Sequence, residues 1–433
     1  MPWTKRQILA AAAIALVALI VRIAYVHTAV VDHPLRGDTL QYFAYALNLI
    51  DHHVFSLVPP GAVPTPDSFR DPGYPVFLAL LIKGFGRHQA FYSATLDVQA
   101  GLAALTVLIY IVLARRWLGM GIALFVGIGL ALWPHAITLA GYVLSETLMG
   151  FLVAAGLLLT QAATDRRRPV LFAIAGIVLG LATLTNATFA PVVLLFAGVA
   201  MWKDLPSRRS WAVLLVASLL PVAAWGVRGA MLPPGQSAGD RIAINLIQGS
   251  WPEYHDAWRS SLERGDAKSI STIQRMDAEY QLVKRDLPQG LDALAQRMRS
   301  EPWRYMSWYA GKPVELWGWS IGVGMGDIYV FPTYNSPLSG NGILRVTTDI
   351  MFFASPLVLG LATVGLIILL TRRRAWPPAL WLGALAVCVI TAIFTALQCD
   401  ARYAVPYRGI EWMLAGVALH TLVTLRRRAV THP

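Results

Sequence analysis

Ten apolar runs recur along this chain, most of them about 20 residues long, the length a helix needs to cross a lipid bilayer. They fall near 8–29, 92–113, 119–134, 137–162, 169–185, 187–201, 211–228, 351–371, 378–397 and 410–425, with the third and sixth short. Lipid offers backbone N–H and C=O groups no hydrogen-bond partner, so segments of this kind must be helices. Composition agrees: of 433 residues, 56% are hydrophobic and only 14% charged, too few charges for a water-soluble fold of this size. The expected fold class is an all-α polytopic membrane protein with about ten transmembrane helices. The first run has a basic flank but no small-x-small cleavage site after it, and it continues through Arg22 to Tyr25, so it reads as a retained anchor. Two cysteines, Cys388 and Cys399, are too few for a disulfide framework.

A net charge of +12 would suit nucleic acid if it formed one patch. Instead it is divided among Lys5-Arg6, Arg115-Arg116, Arg166-Arg167-Arg168, Lys203 with Arg208-Arg209, Arg372-Arg373-Arg374 and Arg426-Arg427-Arg428. Each cluster sits beside the end of an apolar run, and an even number of runs separates them. Placing all six in the cytoplasm gives one consistent threading, with both termini inside. The excess charge is then a topology signal and a contact for anionic lipids, and no nucleic-acid partner is expected.

This threading leaves two long segments outside, roughly 30–90 and 229–350. The expected organisation is a transmembrane catalytic module at 1–228 that includes the first outer segment, a small outer domain at 229–350, and three closing spans at 351–433. In the second segment, 266–299 has few Gly or Pro and mixes charge with apolar residues, which predicts short helices. Trp303, Tyr305, Trp308 and Tyr309 then suggest a stretch lying along the membrane surface, leading to Lys312 and Trp317. In the first segment, Leu40, Phe43, Ala44, Leu47 and Ile50 recur at helical spacing and predict an amphipathic helix over 39–50. Asp38 heads it, just past the first span. Either it caps this helix or it serves as a base whose pKa is raised by partial desolvation at the membrane surface. Proline fixes φ and removes a donor, so Val58-Pro59-Pro60-Gly61 and Phe69-Arg70-Asp71-Pro72-Gly73-Tyr74-Pro75 should be rigid, irregular chain that presents Arg70 and Asp71.

The runs Gly37-Asp38-x-x-x-Tyr42-x-x-x-Ala46 and Arg70-x-Pro72-Gly73-Tyr74-Pro75 resemble the first outer loop of the GT-C glycosyltransferases, nearest to family 39, the protein O-mannosyltransferase and aminoarabinose transferase group. Leu144-Ser145-Glu146-Thr147-Leu148 resembles that family's second acidic motif. Trp225-Gly226-Val227-Arg228-Gly229 resembles its Trp-x-x-Arg-Asn segment, with Gly229 in place of Asn. Glu301-Pro302-x-Arg304-Tyr305 with Lys312 and Trp317, and Asp400-Ala401-Arg402-Tyr403-x-x-Pro406, match two later motifs. The resemblance implies an inverting transfer of a sugar from a polyprenyl-phosphate donor to a hydroxyl acceptor. The setting it implies is the periplasmic face of a bacterial inner membrane.

Carried over by position, Asp38 would be the catalytic base, with Glu146 as the second acid. Arg228, Arg402, Arg70 and Lys312 would hold the donor phosphate, and Tyr42, Asp71, Tyr74 and Tyr403 would line the substrate pocket. A divalent metal cation held by Asp38 and Glu146 is the one cofactor implied. The second acid and the cations have plainer alternatives. Glu146 could pair with Arg22, because a charge at that depth wants a partner. The arginines and Lys312 could be snorkelling cations at lipid headgroups.

His27, His33, His52, His53 and His88 show no metal-site spacing, and no P-loop, Gly-x-Ser-x-Gly or dinucleotide fingerprint is present. The competing classes are a transporter or flippase for lipid-linked sugars and a non-catalytic binder of them. Convergence of Asp38, Glu146, Arg228 and Arg402 on one outward-facing cavity separates an enzyme from either. The threading itself is open to test: cysteines placed at Ser237 and Ser207 should label from opposite sides of the membrane, and labelling from one side would contradict it.

Overall fold

The computed structural model describes residues 2–59, 61–204, 207–233, 237–319, 331–340, 342–371 and 376–431. Pro60 and the cluster Arg372-Arg373-Arg374 lie outside the described residues, as do the side chains of Arg426, Arg427 and Arg428. The first span is α1 (Lys5–Thr28), opened by a capping box between Thr4 and Gln7. The first outer segment forms α2 (Asp38–Asp51) and α3 (Gly73–Phe85). Then come α4 (Gln89–Leu118), α5 (Met120–Ala131), α6 (Pro134–Thr138), α7 (Glu146–Arg166), α8 (Pro169–Thr185), α9 (Ala190–Lys203) and α10 (Arg208–Ala230). The second outer segment folds into α11 (Ala238–Gly249), α12 (Tyr254–Arg264), α13 (Ala267–Arg285), α14 (Leu287–Ser300) and α15 (Pro302–Trp317). The chain closes with α16 (Ile343–Thr371), α17 (Pro378–Ala396) and α18 (Arg408–Thr431).

Nine of the ten expected spans fall largely on one helix each, whereas the fourth, 137–162, is helical as a span only from Glu146, its first residues belonging to a short broken segment. Among the described residues, α1, α4, α7, α10, α16 and α17 are each long and apolar enough to cross a membrane alone. The short third run is α5, which bends by 55° into the segment Pro134–Gly141 and makes a seventh. α8 and α9 are shorter apolar helices. The bend follows from Pro134, which cannot donate a backbone hydrogen bond. The carbonyls left open above it are met by Arg22 of α1, which donates to Leu130 O (3.0 Å), Ala131 O (2.9 Å) and Ala18 O (3.0 Å). Arg22 therefore satisfies helix-end carbonyls rather than forming the ion pair with Glu146 that depth alone suggested.

α8 and α10 approach closely along Gly176-Ile177-Val178-Leu179-Gly180, a small-xxx-small stripe. A Cβ at Gly176 would sit 2.3 Å from Leu214 O, and one at Gly180 would sit 2.6 Å from Ser218 O. The backbone of α10 occupies the space that side chains would need.

Outside the membrane helices, α11–α14 pack around Ile247, Trp251, Tyr254, Met276, Val283 and Leu294. Arg297 ties them together: it bonds Glu279 (2.7 and 2.9 Å), Ser250 O (3.0 Å) and the Tyr305 hydroxyl (2.6 Å). The two outer segments meet in a short antiparallel pair, β1 (Val30–Val31) on β2 (Thr333–Tyr334), with Val30 opposite Tyr334. The Gly176 contact yields a prediction. Gly176→Ala should lower thermal stability in detergent by about 1–3 kcal/mol, the range for overpacking. Gly198→Ala on α9, where a Cβ meets nothing within 4 Å, should leave it nearly unchanged.

Candidate active site

A cavity of about 760 Å³ lies where α2, the 69–71 loop, the start of α7, α11, α12 and the turn Ala401–Tyr407 come together. It draws on both outer segments and on the turn after α17. Asp38 is the first residue of α2. The chain enters this helix through Gly37 at φ 53°, a backbone conformation that favours glycine. Thr39 fixes the helix start by donating to Val143 O at 3.0 Å. Gly37 is the N-cap and no side chain caps the helix, so the Asp38 carboxylate is not spent on capping. Each of its oxygens meets an arginine: Oδ1 accepts from Arg70 Nη2 at 2.5 Å, and Oδ2 accepts from Arg402 Nη2 at 2.5 Å.

Both arginines are positioned by neighbours. Arg70 Nε donates to Gln41 Oε1 (2.6 Å), and its guanidinium lies 5.3 Å from the Tyr42 ring centroid. Gln41 sits one turn along α2 from Asp38, so the two share a face. The turn that carries Arg402 is set by Asp400, whose Oδ1 accepts from Arg402 N at 2.8 Å. Arg402 Nε reaches to 3.5 Å from Glu146 Oε1. Glu146 Oε2 is buried and has no hydrogen-bond partner among the described residues.

Burial alone would raise the Asp38 carboxyl, but the Arg70 and Arg402 guanidiniums outweigh it and hold the group well below the usual carboxylate range. The expected upward shift is thereby overturned. Burial opposes the charge on each arginine too, but Asp38 beside them more than offsets it, and both stay protonated.

The remaining expected residues divide. Tyr42, Asp71 and Tyr403 line the cavity. Tyr403 stacks on Phe394 at 4.6 Å. Asp71 Oδ2 accepts from Arg241 Nη2 (2.8 Å) and Ala187 N (3.1 Å). Tyr74 is fully buried behind the wall: it meets Tyr42 edge-on at 5.0 Å and donates to Gln99 Oε1 at 2.7 Å.

Two expected phosphate ligands are not brought to the cavity. Arg228 donates to the carbonyls of Asp67 (2.8 Å) and Phe55 (3.3 Å). Asp67 in turn holds Leu57 N (2.6 Å), Phe69 N (3.0 Å) and the Tyr45 hydroxyl. Arg228 thus braces the loop that presents Arg70. Lys312 is buried and donates to Gly249 O (2.6 Å), Leu397 O (2.8 Å) and Thr395 O (3.0 Å). Burial pushes its ammonium down to about 8. In both cases, open carbonyls of the outer chain claim the cation.

Sequence reading passed over Gln41, although its spacing from Asp38 was a usable signal. It also passed over Arg241, which pairs with a residue 170 positions away and gives no local signal. As ligands of a divalent cation, Asp38 and Glu146 do not fit in this arrangement, because the Arg402 guanidinium stands between them. Among the described residues, no group of three or more His, Cys, Asp or Glu side chains could hold a metal ion.

No protein-family profile and no curated protein matches the chain in sequence. Solved structures do match in shape. One is the archaeal oligosaccharyltransferase AglB from Archaeoglobus fulgidus in complex with an inhibitory peptide and a dolichol-phosphate: 16% identity, TM-score 0.53, covering 98% of this chain and 51% of that one. The A. fulgidus oligosaccharyltransferase in complex with Zn and sulfate matches at 17% identity and TM-score 0.52, over 95% and 49% of the two chains. ArnT from Cupriavidus metallidurans bound to undecaprenyl phosphate matches at 15% identity and TM-score 0.39, over 95% and 77%. The chain spans about half the length of the AglB structures it matches. It has the fold of these oligosaccharyltransferases, the GT-C membrane fold.

The two displaced cations give a prediction. Lys312→Met leaves three carbonyls unsatisfied and should cost about 3 kcal/mol or more of stability in detergent. Arg228→Gln should cost less.

Proposed function

We propose that this chain is an integral-membrane inverting glycosyltransferase that moves a sugar from a polyprenyl-phosphate donor to a hydroxyl acceptor on the outer, periplasmic face of a bacterial inner membrane. The observation that carries the reading is one carboxylate, Asp38, set between two guanidiniums, Arg70 and Arg402, in a cavity at the outer helix ends. A lipid-anchored donor requires this placement: its polyprenyl tail stays in the bilayer while its phosphate and sugar reach the membrane surface. The similar AglB structure holds a dolichol-phosphate, in keeping with a fold that accepts such lipids.

In this reading the donor phosphate lies on Arg70 and Arg402, whose planar forks match its oxygens. Asp38 accepts the proton of the acceptor hydroxyl. The hydroxyl oxygen attacks the anomeric carbon from the face opposite the phosphate as the bond from that carbon to the phosphate oxygen breaks. Polyprenyl phosphate leaves with the bonding electron pair, and the two guanidiniums stabilise the charge it gains. Glu146, 3.5 Å from Arg402 Nε, fixes the orientation of that side chain. α11 and α12 supply the far wall, including Arg241 and Trp258, and meet the acceptor. Arg228 and Lys312 act at a distance, by holding the outer chain in place.

The test is genetic and chemical together. Mass spectrometry of envelope lipids and glycans from a deletion strain should show one species lacking a single sugar, and the wild-type gene should restore it. Asp38→Asn, present in the membrane at the wild-type level, should transfer about 10² to 10⁴ times more slowly, the range for lost general-base catalysis. Full restoration by Asp38→Asn would remove Asp38 from the chemistry.

A further inference from the structure

Asp38 and a donor phosphate would compete for the same partners. Both Asp38 oxygens are taken up by ion pairs, at 2.5 Å to Arg70 and 2.5 Å to Arg402. Glu146 from α7 and Tyr42 from its own helix also act on this carboxylate, Asp400 acts on Arg402 and Glu146, and Arg36 and Arg241 line the same cavity. Arg70 and Arg402 are the two cations paired with Asp38. Arg70 spends its Nε on Gln41, and Arg402 Nε, 3.5 Å from Glu146 Oε1, has no hydrogen-bond partner among the described residues. Arg70 Nη2 and Arg402 Nη2 therefore both point at Asp38.

We propose that Asp38 is an internal stand-in for the donor phosphate: it occupies the Arg70–Arg402 clamp until the donor arrives, and donor binding transfers the clamp to the phosphate and frees the carboxylate to take the acceptor proton. The proposal rests on the reading of this cavity as a donor-phosphate site, and adds an order of events to it. A carboxylate and a phosphate diester each carry one negative charge and each fit a guanidinium fork. Two such anions cannot both hold the closest contacts to the same pair of guanidiniums without repelling one another. Binding the donor must then loosen Asp38, and a loosened Asp38 keeps its place on α2, where the hydroxyl has to approach. The base becomes available only in the donor complex, so proton transfer from the acceptor waits on the donor. The apparent donor affinity is lowered by the fraction of protein whose clamp is already occupied.

Competition of this kind has an unusual signature: removing the base should improve donor binding. Asp38→Asn keeps the side-chain shape and removes the charge. Calorimetric titration of the full-length protein in detergent with undecaprenyl phosphate should show Asp38→Asn binding about tenfold or more tightly than wild type, corresponding to one freed charge-assisted contact. Equal or weaker binding by a monodisperse Asp38→Asn protein would overturn the proposal while leaving the donor reading standing. Failure of wild-type protein to bind undecaprenyl phosphate at all would overturn both.

If Asp38→Asn does not yield folded protein, the wild type supplies the answer. Infrared difference spectra of ¹³C-aspartate-labelled protein should show a carboxylate stretch shifting when undecaprenyl phosphate is added, as an ion-paired carboxylate is released. An unchanged aspartate spectrum at saturating lipid would overturn the proposal.

Discussion

The two ion pairs of Asp38 join parts of the chain that sequence keeps far apart. Arg70 comes from the proline-rich first outer segment, and Arg402 lies 364 residues beyond Asp38, on the turn after α17. Withdrawing these charges from water is costly, and in many proteins a buried pair stabilises no more than well-packed apolar side chains would. Removing one partner is worse, because it leaves an uncompensated charge. A fold that keeps Asp38 between two guanidiniums holds two cationic forks at one cavity, with Glu146 beside the second. Those forks suit an anion entering from outside. The geometry of Gln41, Asp400 and the Arg228-braced loop all serves to hold the two guanidiniums in place.

A second theme is how the protein meets the open carbonyls at its helix ends. In or beside lipid no water is at hand for them, so side-chain cations are used instead. Arg22 serves the end of α5, Lys312 serves the ends of α11 and α17, and Arg408 serves the end of α15 through Trp317 O (2.9 Å) and Gly318 O (3.1 Å). Such cations lie close to the active cavity and share its residue types, but their role is to fix the frame. Arg70 and Arg402, by contrast, face a carboxylate within the cavity.

This distinction decides what could be read from the sequence. The spans were legible because lipid demands long apolar helices, and α2 was legible because its apolar residues repeat at helical spacing. Asp38, Arg70 and Arg402 stand at motif positions, and the structure brings them together. Arg228 and Lys312 stand at motif positions too, but their partners are main-chain carbonyls, which have no sequence signature. Asp67 was invisible for a related reason: its role depends on how the loop folds back to place Leu57 N, Phe69 N and Tyr45 around it. Arg241 finds Asp71 only once the outer helices are docked. The downward shift of Asp38 required knowing two neighbours at once, whereas burial alone pointed upward.

The central claim is that the phosphate of a polyprenyl donor sits on Arg70 and Arg402 beside Asp38. The most direct measurement is an electron cryomicroscopy structure of the full chain in lipid nanodiscs, with and without undecaprenyl phosphate. The phosphate should lie within hydrogen-bonding distance of both guanidiniums, with Asp38 withdrawn from at least one of them. A phosphate bound elsewhere, for example at Arg36 or Arg241, with both Asp38 ion pairs intact, would contradict the account.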